Sequence, residues 1–176
     1  MSTLFTLIQD NVDLLRQGVG LLAELEDELY ARSEPELGGS AVGVHFRHCI
    51  DFYARLLEGL PAGRIDYDLR EREARLETDR GLALRRLGEL IADLRLLEDG
   101  EPSAPVRVRA ECADPDSDGA PSSLERELQA LLSHTVHHFS LVAVALRLAG
   151  RKPPENFGVA LSTLKHRLRG PGAAPA

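Results

Sequence analysis

Three histidines fall within five positions in the run Ser133-His134-Thr135-Val136-His137-His138, half of the six in this 176-residue chain. On a helix, His134 and His138 stand one turn apart on the same face, the usual way a helix offers two imidazoles to one divalent ion. Two neutral imidazoles on an apolar face each need a partner, and one ion satisfies both. His137 is rotated by about 100° from His138 and points elsewhere. A second close pair, His45 and His48, lies in Gly43-Val44-His45-Phe46-Arg47-His48-Cys49. One histidine from this segment added to His134 and His138 makes a three-nitrogen set with coordination positions left over, as catalytic sites have and structural sites do not.

Spacing leaves the third ligand open between His45 and His48. Three neutral imidazoles suit zinc, nickel, iron(II) or copper, whereas magnesium and calcium prefer oxygen. An ion of this kind would lower the pKa of a bound water or hold a thiol as thiolate. By helical phase Glu127 and Asp51 are the carboxylates placed to hydrogen-bond the imidazoles or to act as a base. Cys49, beside His48, reads as a small apolar core residue rather than a thiolate ligand.

Four helices must position these groups. Apolar residues from Leu4 to Leu29 recur at three- and four-residue steps, predicting one amphipathic helix from Ser2 to about Ala31. A second runs from about Ala41 to Leu60, with Ser40 as its N-cap and Pro61-Ala62-Gly63 as its stop. Residues 64–78 are too charged for a core helix and read as an irregular loop with a short turn. Thr78-Asp79 caps a third helix, Arg80 to Leu97, and Val106 to Ala110 alternates as one short strand. After a loop over Asp114 to Pro121, Ser122 and Glu125 form a capping box for a fourth helix that ends at Gly150. A last helical turn is expected at Leu161 to Leu168. The fold class is all-α, a four-helix bundle with at most one short β segment, in a single domain over 1–169 with a disordered tail at 170–176.

Composition sets limits on function. A net charge of −7 with interleaved arginines leaves no basic stripe, which argues against nucleic acid. Two cysteines without CxxC spacing make no disulfide scaffold. No apolar stretch reads as long enough to span a bilayer and no signal segment opens the chain, so the expected location is the cytoplasm.

The histidine segments, with Arg126-Glu127-Leu128-Gln129-Ala130-Leu131-Leu132 before His134 and Phe157-Gly158-Val159-Ala160-Leu161 in the tail, resemble the DinB/YfiT-like superfamily over nearly the whole chain. The resemblance implies a four-helix bundle whose divalent metal is held by one histidine of the second helix and a HxxxH pair of the fourth. His48, His134 and His138 fill those positions, and His45 becomes a pocket or supporting residue. It also implies a homodimer and a small-molecule reaction with a low-molecular-weight thiol such as bacillithiol or mycothiol, of the transferase or isomerase type. The open metal position fits a thiol held as a nucleophile, with zinc ahead of nickel or iron. Tyr67, Arg70 and Arg72 on the charged loop are candidates for binding an anionic substrate or thiol. The extra domain that ergothioneine-forming enzymes carry is not expected here, and neither is their oxidative reaction. Metal-water hydrolysis and a non-catalytic stress-response metal module are the competing readings.

Overall fold

Apolar positions at helical spacing build four long helices in the computed structural model, which describes residues 2–98, 105–110, 114 and 117–169. These are α1 (Thr3–Glu24), α3 (Val42–Gly59), α4 (Arg80–Leu96) and α5 (Leu124–Leu148); the short α2 (Asp27–Ala31) and α6 (Leu161–Arg169) complete the helical set. Each long helix packs on two others: α1 lies against α4 and α5, and α3 against the same two. Their apolar stripes meet in one core, where Ile8, Val12, Leu15, Leu22, Phe46, Leu56, Leu87, Leu128 and Phe139 are fully enclosed. The fold is dominated by helix.

Two small sheets correct the expectation of a single β segment. β1 (Ser33–Glu34) and β2 (Ser40–Ala41) pair antiparallel around a 3-10 turn closed by Gly38 in the left-handed region. β3 (Arg64–Asp66) runs parallel to β4 (Pro105–Arg109), which pairs antiparallel with β5 (Ala120–Ser123). The expected strand is β4, with Val106 buried and Arg107 exposed in alternation. Its partners escape a sequence reading because three- and four-residue strands flanked by charge or proline carry almost no periodic signal of their own. The remainder of the charged segment folds into 3-10 turns at Tyr67–Leu69 and Ala74–Glu77.

Helix ends also depart from expectation. The first helix stops at Glu24 rather than Ala31, and the break swings Tyr30 into the core, where its hydroxyl donates to the Leu76 carbonyl at 2.5 Å. Ser40 is taken up by β2, so α3 starts without a side-chain cap. Ser123, not Ser122, caps α5 by accepting from the Arg126 amide. Asp79 caps α4 as expected, accepting from the Leu82 amide at 2.8 Å. Contrary to the sequence reading, α5 is long and apolar enough by length and composition to cross a membrane. A helix packed into a protein core meets the same test, and α5 packs on α1 and α3. Residues 170–176 and Cys112 lie outside the described residues.

Candidate metal centre

α3 and α5 pack side by side, and that contact decides which histidines meet. Phe46 on α3 and Phe139 on α5 pack with ring centroids 5.3 Å apart. His48 and His45 on α3 then face His134 and His138 on α5. The Nε2 atom of His134 lies 3.1 Å from Nε2 of His48 and 2.9 Å from Nε2 of His138. The ligand atoms of His48, His134 and His138 all fall within 4.8 Å of one another.

The donor set fits a divalent transition ion. Zinc–nitrogen bonds of about 2.0–2.1 Å in tetrahedral array separate ligand nitrogens by roughly 3.3 Å, a few tenths of an ångström from the two close approaches here. A protonated Nε2 on His134 could donate to only one of its two facing nitrogens, whereas one ion satisfies all three lone pairs. Burial, followed by the charges of His134, Arg70, Arg47 and His45, pushes His48 down to about 4. Burial and the facing imidazoles push His138 down to about 3. Both rings are therefore neutral at pH 7, the form a metal needs.

His45 sits behind the triad. Its Nδ1 lies 3.0 Å from Nδ1 of His138. With Nε2 of His138 turned to the site, the His138 proton belongs on Nδ1 and donates to an unprotonated Nδ1 of His45. The His45 proton then resides on Nε2, which is buried and has no hydrogen-bond partner among the described residues. Burial, then the charge of His137, lowers the pKa of His45. His137 itself is exposed, its ring edge-on to His138 at 5.3 Å.

Two adjoining clefts reach the triad. A smaller one of about 390 Å³ is lined by His48, His134, Phe52, Tyr67, Arg70 and Ala110. The Arg70 guanidinium lies over the Phe52 ring, 4.4 Å from its centroid, and Phe52 stacks on Tyr67 at 5.0 Å. Arg72 is exposed, has φ 53°, and lines neither cleft. The larger cleft, about 740 Å³, shares Phe52, Tyr67, Ala110 and His134 and extends between α5 and strands β4 and β5.

The two carboxylates expected beside the imidazoles are bound elsewhere. Asp51 accepts from Arg47 at 2.8 Å, and Arg47 also holds Glu77 at 2.6 Å. Burial raises the Asp51 pKa against the pull of Arg47, and its side chain borders a separate small crevice with Ile50, Arg55 and Leu76. Glu127 accepts from Tyr67 Oη at 2.9 Å and Ser122 Oγ at 2.5 Å on the wall of the larger cleft. Cys49 is a core residue, its thiol pushed up to about 12 by burial.

Sequence reasoning missed Phe52 and Ser122. Phe52 was legible in principle, four residues after His48 and hence on its face of α3. Ser122 is legible in the sequence only as a helix cap, since its contact with Glu127 depends on β5 docking beside α5. No family model matches this chain, and no curated protein matches it.

Proposed function

We propose that this chain is a divalent-metal-binding protein of the DinB/YfiT-like type, a four-helix bundle with a metal-dependent, thiol-using transferase or isomerase activity on a small molecule. The observation that carries the reading is the convergence of His48, His134 and His138 nitrogens beside a cleft. A site serving only to hold helices together would be closed on all sides. Here His48 and His134 border open space together with an arginine and two stacked aromatic rings.

A zinc, nickel or iron(II) ion held by the three imidazoles supplies Lewis acidity and keeps a bound thiol ionised near neutral pH. The protein's own groups do the rest. Arg70, fixed over Phe52, offers a guanidinium to an anionic part of a low-molecular-weight thiol. Phe52 and Tyr67 form an apolar wall that limits water around the reacting atoms. Support for a hydrolytic alternative comes from Glu127, whose carboxylate shares the larger cleft with His134. In the same proposal the protein is a cytoplasmic homodimer, as the resemblance implies.

Elemental analysis of protein purified without a histidine tag tests the metal. We expect about one equivalent of transition metal per chain, lost in His48→Ala and His134→Ala variants that retain helical circular dichroism. Absence of metal from wild type, with no uptake of added zinc, nickel or iron(II), would overturn the reading. Titrating cysteine into cobalt-loaded protein should shift the ligand-field spectrum if a thiol is the ligand; an unchanged spectrum favours the hydrolytic alternative.

A further inference from the structure

The larger cleft has a polar pattern that the metal site does not use. Most of its wall is apolar or small, including Val108, Ala120, Pro121, Ala130 and Leu131, and about 740 Å³ is room for a drug-sized molecule. Set into this wall is Glu127, only 7% exposed. Its two oxygens each accept one hydroxyl proton, from Tyr67 and from Ser122. A carboxylate has about four lone-pair sites, so two remain. Tyr67 and Ser122 have spent their only hydroxyl protons on Glu127, which leaves them as acceptors as well. All three groups therefore offer the cleft acceptors and no donor.

Among the described residues, Glu127 also lacks a cation of its own: it forms no ion pair, and Arg126 lines the same cleft but is exposed and makes no salt bridge with it. A buried carboxylate held by neutral hydroxyls bears a desolvation cost that a protonated amine, with three donors and a positive charge, would offset.

We infer that the larger cleft takes the second substrate of the proposed metal-site reaction, and that this substrate is an apolar molecule carrying a protonated primary amine bound to Glu127, Tyr67 and Ser122. The apolar body lies along Val108, Pro121 and Leu131, and the shared residue His134 connects it to the metal side. This inference rests on the proposed function for its role as a substrate site, but its binding chemistry is independent of the metal.

The test therefore uses metal-free protein, prepared with a chelator so that an amine has no ion to ligate. Binding of 4-phenylbutylamine, 4-phenylbutanol and 4-phenylbutyrate is followed by ligand-observed NMR and calorimetry at pH 7. We expect the amine to bind at least tenfold more tightly than the alcohol, and the carboxylate not to bind. Glu127→Gln should lower amine affinity at least tenfold and leave the alcohol within about threefold. Tyr67→Phe keeps the carboxylate and should retain the preference for the amine. Equal affinities for amine and alcohol in wild type would overturn the inference, whatever the variants do. So would amine binding unchanged in a folded Glu127→Gln protein. Neither result touches the metal reading, which metal content decides by itself.

Discussion

Nδ1 of His45 and Nδ1 of His138 lie 3.0 Å apart, on facing helices and on the side of His138 away from His134. The pair holds one proton between them, and its placement on His138 leaves Nε2 of that ring as a lone pair toward the site. An outer partner of this kind commonly contributes ten- to a hundredfold in metal affinity. Replacing His45 with Leu should weaken zinc binding by about that factor, measured in competition with a chromophoric chelator. His45→Asn, which keeps an acceptor near the Nδ1 position, should recover most of the loss. Equal losses in both variants would mean that His45 acts through packing.

Depressed imidazole pKa values have a direct consequence for the metal-free protein. Unfolded histidines titrate near 6.5, while folded His48 does so at about 4 and folded His138 at about 3. Between those values the unfolded chain binds protons that the folded chain refuses, so stability falls as pH falls below about 6.5. His45 acts in the same direction, and Asp51, whose pKa is raised, in the opposite one. Urea unfolding between pH 7.5 and 4.5 should show this decline. A His48→Gln/His138→Gln double variant should show a shallower one; identical slopes would remove the imidazoles as its cause.

Below the site, Asn11 ties three helices together. Its amide donates to the carbonyls of Leu7 at 2.8 Å and Leu128 at 3.2 Å, and its oxygen accepts from Tyr53 Oη at 2.6 Å. These groups are buried, so Asn11→Ala removes three hydrogen bonds from the core, including the acceptor of the Tyr53 hydroxyl. We expect a loss of about 2 kcal/mol, roughly 4–8 °C in melting temperature. Combining it with Tyr53→Phe should cost less than the sum of the two single changes.

Two glycines should respond with opposite signs. A Cβ on Gly43 would lie 2.0 Å from the Glu77 carbonyl oxygen and 2.6 Å from its carbon, because the 3-10 turn before α4 rests on the start of α3. Backbone cannot yield as a side chain does, and Gly43→Ala should destabilise by about 2–3 kcal/mol. A Cβ on Gly20, within α1, meets nothing within 4 Å. Gly20→Ala should stabilise by about 0.5–1 kcal/mol through helix propensity. Thermal melts of both variants check the pair.

Much of the helical frame is legible in the amino-acid sequence. The stripes of α1, α3, α4 and α5 are local, repeating within one or two turns, and burial follows them closely. For the same reason His134 and His138 can be assigned to one face and His137 to another. Asp79 is legible as a cap because a cap reaches only three residues along the chain.

What sequence could not supply is everything set by contact between distant segments. Its spacing rules leave His45 and His48 equivalent; the packing of α3 against α5 brings His48 Nε2 to His134 and turns His45 to the back of His138. Helical phase puts Asp51 beside the imidazoles, yet Arg47 and the turn bearing Glu77 claim that corner. Glu127 follows from the same phase, and only the docking of β5 and of the Tyr67 turn shows which hydroxyls it binds. In the sheet β3-β4-β5, Arg64 of β3 pairs with Arg107 of β4, and such distant pairing leaves no trace in a local window. Sequence alone determined the donors and the helix faces that carry them, because those depend on the 3.6-residue period of one chain segment. Tertiary structure decided which donors converge, what stands behind them and what cleft lies in front, because those depend on how separate helices and strands bury their apolar faces against one another.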